Sequence, residues 1–106
     1  MRHGAGSTSF AHEHAGIATR LTMAMAGDDP VKVSRLRVVN RGGTPRRVAL
    51  TAYAEWTLGV LREHTQHQVR TELEPGRRAI LAYNRFDQHF AGQVAFFALT
   101  ERPKDW

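Results

Sequence analysis

Three sets of side chains in this chain have the types and spacings that chemistry can use. His12-Glu13-His14 places two imidazoles on one side of an extended segment, about 7 Å apart by strand geometry. That spacing can ligate zinc when a third ligand arrives from elsewhere, but no partner cluster is evident beyond His64 and His67. A bare pair at this spacing describes surface or packing histidines equally well, so no metal site is assigned. Glu55, Glu63 and Glu72 can supply the two carboxylates of a glycoside-cleaving site, but nothing in the sequence sets a separation between any two. Glu63 between Arg62 and His64 reads as an ion-paired or solvated residue. Tyr53, Trp56, Tyr83, Phe86 and Phe90 offer flat faces for stacking on a sugar ring. Aromatic residues on strands also serve as core or cross-strand partners, and Trp56 continues the alternation of Ala52 and Ala54, which places it inside. Phe86 and Phe90 lie in a loop and suit either exposure or anchoring. There is no Gly-x-Ser-x-Gly, phosphate loop or dinucleotide fingerprint, and Gly4-Ala5-Gly6 is too short to cradle a phosphate. No cofactor is implied.

The elements that must position these residues read as short strands. Phe10 to His14 and Ile17 to Ala26 flank Ala15-Gly16, where a two-residue hairpin turn falls. The second of these segments alternates strictly, with Ile17, Leu21, Met23 and Met25 on one side and Ala18, Arg20 and Ala24 on the other. Gly27-Asp28-Asp29-Pro30 stops it. Val31 to Asn40 alternates with a change of parity that predicts a bulge near Ser34-Arg35. The turn Arg41-Gly42-Gly43-Thr44-Pro45 then leads into Val48 to Glu55, predicted as the antiparallel partner of Val31 to Asn40. Thr57 to His67 reads as an irregular crossing with Leu58 and Leu61 tucked in. Gln68 to Glu74 and Ala79 to Tyr83 surround Glu74-Pro75-Gly76-Arg77, a candidate type II turn. Asn84 to Gly92 is a loop, and Val94 to Thr100 a last strand. About seven strands at this spacing predict an antiparallel sandwich or barrel.

The chain has 106 residues, a length that suits one domain spanning residues 1–106. It has no cysteine, hence no disulfide framework. Neither a signal peptide nor an apolar run of membrane-spanning length is visible, so the expectation is a soluble cytoplasmic protein with no membrane insertion by this segment. The net charge of +5 rests on thirteen arginines and two lysines, scattered in ones and twos. Scattered arginines describe a solvated strand face better than a phosphate footprint, and nucleic acid is not expected as a partner.

Arg2-His3-Gly4, Phe10 to His12, Asp29 to Leu36, Tyr53 to Trp56 and Leu58 to Glu63 occur in an order with a counterpart. They resemble the β-sandwich that precedes the catalytic helical barrel in glycosyltransferase family 36, also classed as glycoside hydrolase family 94, and within it the cyclic glucan synthase branch. The resemblance implies an all-β, antiparallel β-sandwich of the supersandwich, galactose-mutarotase type, here incomplete because relatives continue beyond Thr100 to Pro103. It implies a non-catalytic part, since the family's general acid, an aspartate, lies in the downstream barrel. A β-glucan or oligosaccharide is the implied ligand. The family-marked crossing then supplies Tyr53, Glu55, Trp56, Arg62, Glu63 and His64 as candidate contacts. The alternative is a stand-alone carbohydrate-binding module using Phe86, Phe90 or the Trp56 to His64 region; a basic barrel binding nucleic acid ranks below both. Open edges in an incomplete sandwich predict a homodimer.

Overall fold

A computed structural model describes residues 1–105 of the chain. Seven strands and almost no helix make it all-β: β1 (Arg2–Gly4), β2 (Ser7–His14), β3 (Ile17–Met25), β4 (Lys32–Asn40), β5 (Arg70–Glu74), β6 (Ala79–Tyr83) and β7 (Ala95–Ala98). The one α-helical turn, α1, spans Arg62–Thr65. All pairings are antiparallel, in two sheets ordered β1-β2-β3-β4 and β5-β6-β7, the sheet content of a sandwich-class fold. The chain divides into two compact units, Met1–Leu50 and Thr51–Trp106.

In the first unit, period two along the strands is converted by the register into two chemically distinct faces. Phe10, Leu21 and Leu36 stand in one cross-strand row, with Met23, Ile17 and Val38 on the same side. Ala11, Arg20 and Arg37 form a row on the opposite side, next to Ser9, Thr22 and Arg35. The β2–β3 hairpin turns at Ala15 and Gly16, with φ of 48° and 77°, so both take the left-handed conformation that a two-residue turn of this kind requires. Ala15 does so without the freedom of glycine. β1 is a strand the sequence reading missed; three residues are too few for alternation to show.

Three expectations are corrected here. First, Val48 to Glu55 forms no ladder with β4 or any other strand among the described residues. The turn after Asn40 does form, closed by Gly42 N–H on Asn40 Oδ1 (2.9 Å) and Asn40 Nδ2 on the Thr44 carbonyl (2.8 Å). It does not send the chain back along β4. Arg41 N–H donates to the Gly16 carbonyl at 2.7 Å and Arg46 Nη1 to the Ala15 carbonyl at 3.1 Å, so the chain leaves across the β2–β3 turn. Second, β4 has no bulge: pairing with β3 runs unbroken from Met25↔Lys32 to Ile17↔Asn40, and Val33 simply shares the arginine side. Third, Pro75–Arg77 is a 3₁₀ turn, not a type II turn. The positive φ falls on Arg78 (φ 52°, ψ 46°) and not on Gly76, because Arg78 N–H closes on the Pro75 carbonyl and its backbone must then reverse into β6.

The second unit holds every buried side chain among the described residues: Leu58, Thr65, Ala79, Ala82 and Asn84. Leu58 is tucked in as expected, whereas Leu61 is 48% exposed and Trp56 only half-buried.

Candidate functional site

The crossing from Thr51 to Gln68 has no ladder to hold it, so individual polar bonds do the positioning. Asn84, fully buried at the end of β6, donates from Nδ2 to the Leu58 carbonyl at 3.0 Å and more weakly to Gln68 Oε1 at 3.4 Å. Its Oδ1 accepts the Phe86 N–H at 3.0 Å. One side chain thereby ties backbone groups of two loops together and satisfies the buried Leu58 carbonyl. Gly59 follows directly. A side chain there would overlap Thr65 Cγ2 and lie 2.9 Å from Asp87 Oδ2, and its φ of 156° also favours glycine.

α1 begins at Leu61 without a side-chain cap and is closed by Thr65 Oγ1 on the Leu61 carbonyl (3.1 Å) and Gln66 N–H on the Arg62 carbonyl (2.9 Å). This presents Arg62 towards the preceding segment. Its Nη1 meets Glu55 Oε2 at 2.8 Å, and the other carboxylate oxygen, Oε1, accepts from Tyr53 Oη at 2.8 Å. The three form a line, Tyr53–Glu55–Arg62, with the carboxylate shared between a phenol and a guanidinium. Bonding to Glu55 is the main reason that the Tyr53 phenol titrates above its ordinary value of 10.0; the carboxylate's negative charge adds to the effect and Arg62 opposes it. Tyr53 is 80% exposed, so its ring is held at the oxygen and open on its faces.

Of the six candidates, the structure therefore links Tyr53, Glu55 and Arg62. Among the described residues, no side-chain hydrogen bond or ion pair joins Trp56, Glu63 or His64 to them. Arg62 takes its acid from Glu55 in the preceding irregular segment, and not from neighbouring Glu63. Among the described residues, no bond or common partner links any two of Glu55, Glu63 and Glu72; Glu72 Oε2 accepts from Tyr83 Oη at 3.4 Å. The His12 and His14 rings do stack, 6.3 Å apart and 17° from parallel. No group of three or more metal-ligating residues is present among the described residues.

A second cluster escaped the sequence reading. Gln68, Arg70, Tyr83, Arg85 and Phe86 line a cleft of about 220 Å³, with the Arg85 guanidinium carbon 5.0 Å from the Tyr83 ring centre. Arg70 faces Tyr83 across the β5–β6 ladder, a pairing that only the register reveals. Phe86, singled out for its loop position, is 72% exposed at the rim.

Comparison with known proteins gives two matches. The family model described as "Glycosyl hydrolase 94, supersandwich domain" matches residues 1–106. The chain is also 30% identical over 97 residues to cyclic beta-(1,2)-glucan synthase NdvB of Rhizobium meliloti (strain 1021). That alignment covers 92% of this chain and 3% of NdvB, so the chain spans a small fraction of its curated relative's length. No solved structure matches. No helix among the described residues is long and apolar enough to cross a membrane.

Proposed function

Because the chain belongs to the glycosyl hydrolase 94 supersandwich domain family, we propose that it is a non-catalytic β-sandwich part of a glucan synthase or β-glucoside phosphorylase-like enzyme. In this reading it supports the catalytic machinery and touches the glucan. The observation that carries the contact is the Tyr53–Glu55–Arg62 line. An aromatic ring that stacks on a sugar's C–H face binds with a smaller ordering cost when its orientation is already held. Glu55 fixes the Tyr53 oxygen while leaving both ring faces to solvent, and Arg62 presents further N–H donors to hydroxyl groups beside it. All three groups are exposed, which suits recognition and gives no dry pocket in which a carboxylate would become a proton donor.

The test is a titration of this chain with a linear β-1,2-linked gluco-oligosaccharide, followed by amide chemical shifts. Shifts confined to residues 53–64, and abolished by Tyr53→Ala, are expected. Saturation with no shift in that segment would leave a purely structural role. A stand-alone carbohydrate-binding module is the second reading; it draws on exposed Phe86 beside the Arg70–Tyr83–Arg85 cleft, and shifts centred there would favour it. The same proposal includes a homodimer that covers open strand edges, with a concentration-independent monomer in sedimentation as the contrary result.

A further inference from the structure

The arginines that look scattered in the sequence are collected by the register of the first sheet. Arg20 and Arg37 are directly opposite each other, and Arg35 lies two residues along β4 on the same side, opposite Thr22. Arg2 of β1 joins this side through Ser9. Arg20 and Arg37 line a shallow trough of about 410 Å³ together with Ala11, Ala18, Val39 and the Glu13–Arg41 pair. Glu13 is the acid on this face, and it is engaged with Arg41 at 3.3 Å. Among the described residues, Arg2, Arg20, Arg35 and Arg37 have no acid within ion-pair distance. Like charges directly opposite on a sheet repel, so this arrangement leaves an unmet preference for negative charge.

β4 is also an edge. It pairs with β3 alone, and among the described residues no backbone group of residues 32–39 bonds to anything outside that pairing. Proteins blunt such edges by shortening them, by bulges, by proline or by charge. β4 is nine residues long, unbulged and free of proline, which leaves charge as its one device. Charge of one sign blocks only like partners. On the arginine side the edge presents Arg35 and Arg37; on the other it presents Leu36, 46% exposed, and half-buried Val38.

We propose that the β4 edge is a docking site for an extended polypeptide segment that alternates acidic with apolar residues, added as a fifth strand to the β1–β4 sheet. Its carboxylates lie opposite Arg35 and Arg37, where alternate residues of both strands repeat at roughly 7 Å. Guanidinium suits this role better than ammonium because its planar fork matches a carboxylate. The apolar residues of the added strand extend the Phe10–Leu21–Leu36 row. A second copy of β4 is the wrong occupant: two-fold pairing centred on Leu36 sets Arg35 of one copy against Arg37 of the other, twice. Self-association is thereby directed away from this edge.

The test uses this chain with two labelled nine-residue peptides, one alternating valine with glutamate and its twin with lysine replacing glutamate. Fluorescence anisotropy is expected to show the glutamate peptide bound at least about tenfold more tightly, with slowed amide exchange confined to residues 32–39. The double variant R35E/R37E is expected to invert the preference, and R35A/R37A to erase it while β2–β3 amide protection stays unchanged. Equal binding of the twins, no slowing of β4 exchange, or displacement of the glutamate peptide by a single-stranded oligonucleotide at lower concentration would each overturn the proposal.

Discussion

The sheet β1–β4 and the unit built on β5–β7 are held together in different ways. The first relies on repetition: three neighbouring strands alternate in step, and no side chain in it is buried among the described residues. Removing any one residue there removes one rung of many. The second has short strands and relies on particular atoms, with Asn84 tying the Leu58 carbonyl, Gln68 and the Phe86 N–H to the end of β6. Repeated structure tolerates open faces and edges. The unit pinned at single points is the one that presents the side chains of the candidate sugar site.

The contrast breaks most readily at Asn84. Asn84→Ala leaves the buried Leu58 carbonyl without its partner, at about 1–3 kcal/mol, and frees the part-buried Phe86 N–H at a smaller cost. Thermal unfolding should therefore fall by well over 5 °C for a chain of this size, and Tyr53 should lose its elevated titration as the crossing loosens. Unchanged melting would mean that the ladders alone hold the second unit.

A smaller effect of opposite sign is expected in the repeated sheet. Ala15 occupies φ 48°, where a residue with a Cβ is disfavoured by roughly 1 kcal/mol. Ala15→Gly relieves that cost but adds chain entropy in the unfolded state, leaving a gain of about 0.5 kcal/mol, to be read from denaturant midpoints. A loss of stability would show that Ala15 contributes contacts which outweigh its backbone.

The smallest effect concerns Tyr53. Its native pKa is raised by the Glu55 carboxylate, so the neutral phenol is the bonded form. The resulting contribution is fully present below pH about 10 and is lost as pH rises through the native value. Glu55→Ala should return the phenol towards 10, seen as an earlier rise in ultraviolet absorbance, with stability near neutral pH little changed because the Glu55–Arg62 pair is exposed.

The same contrast explains what could be read from the sequence. Ile17 to Met25 and the Ala15-Gly16 turn were legible because alternation and turn chemistry are local signals. The alternation of Val48 to Glu55 was equally clear and misleading, since a pattern describes two sides of a strand and says nothing of whether a partner edge is within reach. Arg41 and Arg46, bonded to Gly16 and Ala15, decide the chain's path there, and such bonds have no periodic signature. Tyr53, Glu55 and Arg62 entered the candidate set through a family likeness; their connection became visible only in three dimensions. The strands that pair Arg70 with Tyr83 were legible from their alternation about the Pro75 turn, but the buried role of Asn84 had no sequence signal.

The two-faced first sheet also constrains how its length can vary. Because arginine and apolar faces are separated by a single residue step, inserting one residue within β2, β3 or β4 would exchange the faces for the rest of that strand. Length changes should be tolerated in pairs, or at the Ala15-Gly16 and 26–31 turns, and rejected singly inside the strands. An insertion library scored for folding would reveal that parity rule as a two-residue rhythm across residues 7–40, in effect a reading frame written in side chains.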